Sequence, residues 1–121
     1  MTDYVEPNGA CSCCVVIKIK WTVMKKFDEL INSEKPVLVD FYATWCGPCR
    51  MMMPILNELE QKVGSKANFL KVDVDENEDL SLRYNVQSVP TLMIFKKGEL
   101  LWRETGVRQA HLLEHILEKF Y

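Results

Sequence analysis

Two cysteines, Cys46 and Cys49, flank a Gly47-Pro48 pair in the segment WCGPCR. Thiolates attack disulfides and bind soft metal ions, so this C-x-x-C spacing suits a redox-active dithiol, a structural disulfide or half of a zinc site. The spacing alone leaves all three kinds of chemistry open. The residues around the motif have to decide between them.

The motif lies at the junction between a predicted strand and a predicted helix. The preceding segment PVLVDFYA is apolar on both faces except for one carboxylate, and the following segment repeats apolar residues at helical spacing from Met52 to Val63. Cys46 is therefore expected at a helix N-terminus, where unpaired backbone N–H groups and the helix dipole favour an anion. These effects should lower the pKa of Cys46 and make its thiolate the nucleophile, and Pro48 suits the first helical turn.

Cys49 lies one helical turn after Cys46, closer to the packed interior. We expect it to attack a mixed disulfide formed at Cys46, which releases the reduced substrate and closes the Cys46–Cys49 ring. That step needs a base if the thiol of Cys49 is protonated. The candidate is Asp40 on the preceding strand, since a buried carboxyl group has a raised pKa. The alternative is a core carboxylate that is only hydrogen-bonded.

The rest of the sequence predicts strands and helices that position these side chains. Besides the strand at 36–43 and the helix that starts within CGPC and ends at Gly64, the predicted segments are a strand at 15–21, a helix capped by Thr22 and ending near Ile31, a strand at 69–75, a short helix at 77–84, a strand at 88–95, a turn at 96–99, an edge strand at 100–104 and a terminal helix that buries Leu112, Leu113, Ile116, Leu117 and Phe120. This order implies an α/β fold, a three-layer sandwich around a central mixed β-sheet flanked by helices.

Length, charge and hydropathy limit the class of protein. The chain has 121 residues, 48% of them apolar, which is the size of one domain. Residues 1–14 show no periodicity and are interpreted as a flexible N-terminal lead-in to a domain at 15–121. A net charge of -2 with interspersed signs argues against a nucleic-acid partner. No apolar run approaches the ~20 residues that span a bilayer, and no export signal is visible, so we expect a cytoplasmic monomer without a membrane partner.

Four segments resemble the thioredoxin family in their order and spacing: VDFYATWCGPCRMMMPIL, KVDVDEN, SVPTLMIFKKGE and RETGV. The resemblance covers about residues 25–120 and is specific, because CGPC occurs together with a downstream Val-Pro-Thr and a Lys-Gly hairpin. It implies the thioredoxin fold and reduction of disulfides in client proteins. It further implies re-reduction by an NADPH-dependent flavoprotein reductase, a thioredoxin reductase, and no bound cofactor or metal.

The resemblance also implies roles for single residues. Cys46 resembles the attacking thiol, Cys49 the resolving thiol and Asp40 the buried acid of the family. The substrate-binding positions are Trp45 as an aromatic shoulder, Gly47 and Pro48 within the motif, Pro90 as a cis-proline, Val89 as the residue that offers its backbone to an extended substrate, and Gly106 as a close-packed glycine beside the groove.

Lys71 resembles the basic residue near the buried acid. A solvated strand lysine at Lys71 and an ordinary turn glycine at Gly106 are the alternatives. Two departures from the family pattern stand near the site: Tyr42 replaces a second tryptophan that many members carry, and Arg50 replaces the usual lysine.

Three other motifs have structural explanations that we prefer. The CSCC segment, with Cys11, Cys13 and Cys14, suits a second redox pair or a metal clasp, but an incidental tail is favoured because no further ligand group has suitable spacing. HLLEH at 111–115 fits a zinc-protease pattern and is interpreted as the polar side of a helix. The methionines at 51–53 are interpreted as an apolar rim near Cys46 and not as a soft-metal site.

The sequence thus predicts a thiol-disulfide oxidoreductase that reduces protein disulfides through a Cys46–Cys49 cycle. An envelope-type oxidant or isomerase of the same fold is the alternative within redox chemistry. A non-catalytic module that docks peptides in the groove at Val89 and Pro90 is the alternative from a different class.

Overall fold

The computed structural model describes residues 4–5, 14–17 and 20–121, with side chains from Lys26 onward. In chain order its elements are β1 (Tyr4–Val5), β2 (Cys14–Ile17), α1 (Lys20–Ile31), β3 (Val37–Tyr42), α2 (Gly47–Val63), a 3-10 turn (Gly64–Lys66), β4 (Asn68–Asp73), α3 (Glu78–Arg83), β5 (Thr91–Lys96), β6 (Glu99–Thr105) and α4 (Ala110–Glu118). No helix of these described ranges is long and apolar enough to cross a membrane.

The strands form one mixed sheet in the order β1-β2-β4-β3-β5-β6. β3 pairs with β4 in parallel and with β5 antiparallel, so it lies in the middle of the sheet. β6 pairs with β5 and is the edge strand that the sequence predicts. The predicted mixed sheet and central strand are therefore confirmed.

Side chains of β3 alternate between the two faces of the sheet, and each face has its own core. Val37, Val39 and Phe41 belong to the cluster that contains Phe27 of α1. Leu38 belongs to the cluster formed with α2 and α4. Helices thus cover both faces, which is the predicted three-layer arrangement. Because Asp40 follows Leu38 by two residues, its side chain is on the α2 side of the sheet.

The N-terminal boundary between strand and helix differs from the prediction. The strand predicted at 15–21 is described over Cys14–Ile17, and α1 begins at Lys20 within the predicted strand, so Thr22 lies inside the helix and does not cap it. The physical reason is the spacing of the apolar residues, because Trp21, Met24 and Phe27 recur every three residues as in a helix.

The segment predicted as a lead-in contributes strand structure. β1 pairs antiparallel with β2 through Tyr4 opposite Ile17 and Val5 opposite Val16, and Cys14 opens β2. The division into a lead-in at 1–14 and a domain at 15–121 stays a prediction. Cys11 and Cys13 lie outside the described residues.

The terminal helix buries fewer residues than predicted. Leu113 and Leu117 are fully buried against the α2 side of the sheet, whereas Leu112 is 47% exposed. The cause is geometric: α4 packs on one side only, and adjacent helix positions differ by ~100° around the axis. Leu112 therefore points away from the stripe that Leu113 and Leu117 form.

Candidate active site

The two motif cysteines lie at the start of α2, as the sequence predicts. Cys46 is the N-cap residue, with extended backbone angles of φ -88° and ψ 118°, and Pro48 lies in the first turn. The backbone N–H of Cys49 donates a hydrogen bond to Sγ of Cys46 over 3.2 Å. This N–H is one of the helix-terminal donors without an intrahelical acceptor, so it stabilises negative charge on the Cys46 sulfur.

Both sulfurs are close to each other and shielded from solvent. Cys46 and Cys49 form a disulfide with a Cα–Cα distance of 5.3 Å, and the two residues are only 5% and 4% exposed. Sγ of Cys46 also lies 3.7 Å from the carbonyl oxygen of Val89. The structure thus brings the predicted dithiol next to the predicted substrate-binding backbone.

A groove opens on Cys46, and we call it the Cys46 groove. It is a cavity of about 460 Å³ lined by Trp45, Cys46, Gly47, Pro48, Val74, Val86, Gln87, Ser88 and Val89. The sequence predicted five of these residues, but it missed Val74 and the segment 86–88. The missed segment immediately precedes Val89-Pro90. The substrate site that the sequence predicts at Pro90 is therefore the signal from which these residues could have been found.

Two predicted substrate-binding residues, Pro90 and Gly106, are not part of the lining of the groove but are hydrogen-bonded to each other next to Val89. The Val89–Pro90 peptide bond is cis, as expected. The N–H of Gly106 donates to the carbonyl oxygen of Pro90 over 2.8 Å, and Gly106 has φ +101°. A Cβ at this position would lie 3.3 Å from Nη1 of Arg108. Gly106 therefore suits both a backbone angle and a close contact that favour glycine.

Trp45 forms an exposed wall of the Cys46 groove. Its side chain is 68% exposed, and its Nε1 donates a hydrogen bond of 2.8 Å to Oδ2 of Asp75. The N–H of Asp75 in turn donates to Oδ1 of Asp73 over 2.9 Å. Asp75 therefore orients the indole, a contact that the sequence did not indicate because the two residues are far apart in the chain.

Asp40 is a buried acid on β3, only 3% exposed. Burial raises its pKa from 3.8 to about 7, and the charge of Lys71 partly opposes this rise. Among the residues that the structure describes, Oδ1 of Asp40 has no hydrogen-bond partner. The predicted proximity of Lys71 to Asp40 is confirmed, since the two are register partners in the β3–β4 pair. Desolvation wins over the lysine charge, so the carboxyl group can exchange a proton near neutral pH.

A second cavity, which we call the Cys49 cavity, lies on the side of Asp40. It measures about 330 Å³ and is lined by Asp40, Tyr42, Ala43, Thr44, Cys49, Arg50, Met53 and Lys71. The structure thereby joins the resolving cysteine and the buried acid in one space. It also includes both positions at which the sequence departs from the family pattern, Tyr42 and Arg50.

Glu60 of α2 is a charged neighbour that the sequence did not single out. Burial raises the pKa of Glu60, and the positive charge of Lys71 lowers it. Lys71 therefore acts on two carboxyl groups, Asp40 and Glu60.

The other candidate motifs take no part in this site. His111 and His115 are exposed on α4. Met52 is buried under the sheet, while Met51 and Met53 are 61% and 51% exposed. Within the described ranges, no group of three or more His, Cys, Asp or Glu side chains is placed to hold a metal ion.

A dithiol at the start of the helix that follows the central strand of a mixed sheet is the arrangement of a thiol-disulfide exchange protein. Comparison with known proteins gives the same result. The thioredoxin family model matches residues 18–119. The chain is 44% identical over 100 residues to a thioredoxin of Bacillus subtilis. The aligned segment covers 80% of this chain and 96% of that protein.

Two further comparisons agree. The chain is 44% identical over 103 residues to the chloroplastic thioredoxin Y of Oryza sativa, covering 84% of this chain but 61% of the rice protein. The crystal structure of thioredoxin NaTrxh from Nicotiana alata superposes with a TM-score of 0.79 at 33% identity and covers 96% of both chains. The chain belongs to the thioredoxin family, and it is a thiol-disulfide oxidoreductase.

Proposed function

We propose that this protein reduces disulfides of client proteins and is itself re-reduced by an NADPH-dependent thioredoxin reductase. The observation that carries the proposal is the position of the Cys46 sulfur. The sulfur accepts a hydrogen bond from the N–H of Cys49 at the start of α2, which stabilises negative charge on it. Cys46 also lines the Cys46 groove, through which a client disulfide can approach.

The first step is attack of the Cys46 thiolate on one sulfur of a client disulfide. A new bond joins Cys46 to that sulfur, and the other client sulfur leaves as a thiolate. The Val89 carbonyl lies 3.7 Å from Sγ of Cys46 and is available as a hydrogen-bond acceptor for an extended client segment. Trp45, Gly47 and Pro48 provide the opposite wall, and Pro90 and Gly106 hold the Val89 side in place.

The second step is attack of Cys49 on the Cys46 sulfur. Cys49 gives its proton to Asp40, attacks Sγ of Cys46, and the client leaves with two reduced cysteines. The Cys46–Cys49 disulfide that remains is reduced again by two electrons from NADPH through the reductase. Asp40 serves as the base because its pKa of about 7 suits proton transfer near neutral pH, and Lys71 supports its ionised form.

The test is reduction of insulin with NADPH and a bacterial thioredoxin reductase. We expect NADPH consumption that depends on both proteins and is lost in Cys46→Ser. A protein that binds insulin without consuming NADPH, and without reducing insulin when dithiothreitol replaces the reductase, would instead be a docking module. Equilibration with glutathione buffers separates the two redox roles, because a reductant has a strongly negative potential and an envelope oxidant a mild one.

The compartment and the assembly state are separate expectations. The similar proteins include a thioredoxin of a bacterium and one named chloroplastic. A cytoplasmic location, a monomeric state and the absence of a nucleic-acid partner stay predictions. Sedimentation of the reduced protein tests the monomer directly.

A further inference from the structure

The two cysteines of the active site line separate spaces. The Cys46 groove and the Cys49 cavity have no lining residue in common. The first contains Cys46 and not Cys49, and the second contains Cys49 and not Cys46. A molecule in the Cys49 cavity therefore reaches the resolving cysteine without occupying the groove that faces Cys46.

The Cys49 cavity has the properties of a small-molecule site. Its volume of about 330 Å³ falls within the range of ligand pockets. Its walls include apolar atoms of Ala43 and Met53, and its polar groups come from a few convergent side chains. One of these is the carboxyl group of Asp40, which is only 3% exposed and whose Oδ1 has no hydrogen-bond partner among the described residues. A buried acceptor that is left unpaired costs free energy, and a ligand donor would recover it.

We propose that the Cys49 cavity binds a small, uncharged organic molecule with an apolar body and one hydrogen-bond donor, the donor directed at the carboxyl group of Asp40. The charges around the cavity select an uncharged ligand. A cation would meet Arg50 and Lys71, and an anion would meet the carboxylate of Asp40. An uncharged donor avoids both conflicts.

Binding of this kind regulates the second step of the reaction, an inference that rests on the proposed function. The ligand occupies the acceptor that takes the proton of Cys49, so release of the client slows. The Cys46 groove stays open, so client binding is unaffected. The expected signature in single-turnover reduction of insulin is a lower limiting rate at an unchanged half-saturating insulin concentration.

Phenol is the probe, anisole is its match without a donor, and benzoate is the charged competitor. In ¹⁵N spectra of the full chain, phenol should shift the amides of Ala43, Cys49 and Lys71 saturably and leave 86–89 unmoved. Anisole and benzoate should each bind about tenfold more weakly. Equal binding of phenol and anisole, or phenol shifts centred on 86–89, would overturn the proposal.

The pH dependence checks the acceptor. Lys71 from β4 acts on the charge of Asp40, Cys49 and Arg50 from α2 line the same cavity, and the register partner of Asp40 on β5, Leu92, is apolar. Because a donor binds an ionised carboxylate more tightly, phenol affinity should rise several-fold between pH 5.5 and 8.5. Asp40→Asn should bind phenol without this pH dependence. Persistence of the rise in Asp40→Asn would show that another group is responsible.

Two methionine variants provide the matched control for location. Met53 lines the Cys49 cavity, and Met51 does not, although both are at least half exposed and neither supports the core. Met53→Ala should weaken phenol binding about threefold, and Met51→Ala should leave it unchanged.

The kinetic arm uses single-turnover insulin reduction by the reduced protein. If the protein fails to reduce insulin when no phenol is present, the proposed function is wrong. If it reduces insulin normally but does not bind phenol, only this inference is wrong.

Discussion

Asp40 on β3 and Lys71 on β4 are register partners in adjacent parallel strands, both line the Cys49 cavity, and the charge of Lys71 acts on Asp40. Burial nevertheless dominates, so the pKa of Asp40 rises from 3.8 to about 7 instead of falling. The lysine therefore reduces the cost of the buried charge without cancelling it. The active site thus holds a carboxyl group that changes its charge near neutral pH.

Stability should fall as the pH rises through this range. Between pH 3.8 and about 7 the folded state holds a proton on Asp40 that the unfolded state has lost, so raising the pH favours unfolding. The difference between these two pKa values of Asp40 corresponds to about 4 kcal/mol of unfolding free energy, which is an upper bound for the effect. Asp40→Asn cannot ionise and should be more stable than the wild type at pH 8 by a few kcal/mol, but not at pH 4. Urea unfolding at both pH values measures this.

The control for that experiment is Asp79→Asn, which removes an exposed carboxylate of α3. Its stability should follow the wild-type pH dependence. If Asp40→Asn follows the same dependence, the titration of Asp40 does not control stability.

Catalysis should require Asp40 in its ionised form. The wild-type rate of insulin reduction is expected to rise as the pH passes about 7, because the base is available only above its pKa. Asp40→Asn should be slower at pH 7 by about tenfold or more. The two rates should converge at pH 9, where hydroxide from solvent can replace Asp40 as the base. Rates that coincide from pH 6 to 9 would remove Asp40 from the mechanism.

The two cysteines should differ in reactivity. With Cys11, Cys13 and Cys14 replaced by serine as a common background, Cys49→Ser should accumulate a mixed disulfide between Cys46 and insulin, and Cys46→Ser should not. Iodoacetamide should alkylate Cys46 at pH 7 about tenfold faster than free cysteine, which is only a few per cent thiolate at that pH. Peptide mass spectrometry locates both products. Equal alkylation of Cys46 and free cysteine would show that the helix terminus does not activate the sulfur.

The hydrogen bond between Trp45 and Asp75 should affect client binding more than turnover. Asp75→Ala frees the exposed indole, whose Nε1 loses its partner at 2.8 Å. We expect KM for insulin to rise about threefold with little change in kcat, because the cysteines keep their contacts. Asp79→Ala removes another exposed acid, four residues further along the chain, and should change neither constant. A fall in kcat alone would place Trp45 in the chemical step.

The aromatic cluster on the other face of the sheet should contribute to stability and not to activity. Phe27 is fully buried and lies 5.6 Å from the rings of both Tyr84 and Phe95. Phe27→Ala should lower the free energy of unfolding by about 3 to 5 kcal/mol. Leu82→Ala, at a side chain that is 79% exposed, should change it by about 0.5 kcal/mol or less. A smaller loss of unfolding free energy for Phe27→Ala would mean that the neighbouring side chains move into the space left by the phenyl ring.

Part of this site could be predicted from the sequence because it depends on local spacing. The strand PVLVDFYA and the helix after it are each determined by hydrophobic periodicity, and their junction places Cys46 at a helix N-terminus. The same alternation along β3 buries Asp40 on the side of α2. The resemblance to thioredoxins added Val89, Pro90, Gly106 and Lys71, and the structure places Lys71 beside Asp40.

The remainder depended on contacts between distant segments. Hydrophobic periodicity does not show that Asp75 binds the indole of Trp45 or that Lys71 also acts on Glu60, because these residues meet only when the sheet and α2 are assembled. The start of α1 was misjudged because alternating and helical apolar spacings overlap at Trp21. The sequence alone thus determined which sulfurs react and where their helix begins. The tertiary structure decided which cavity each cysteine lines, because that depends on how segments far apart in the chain surround the helix terminus.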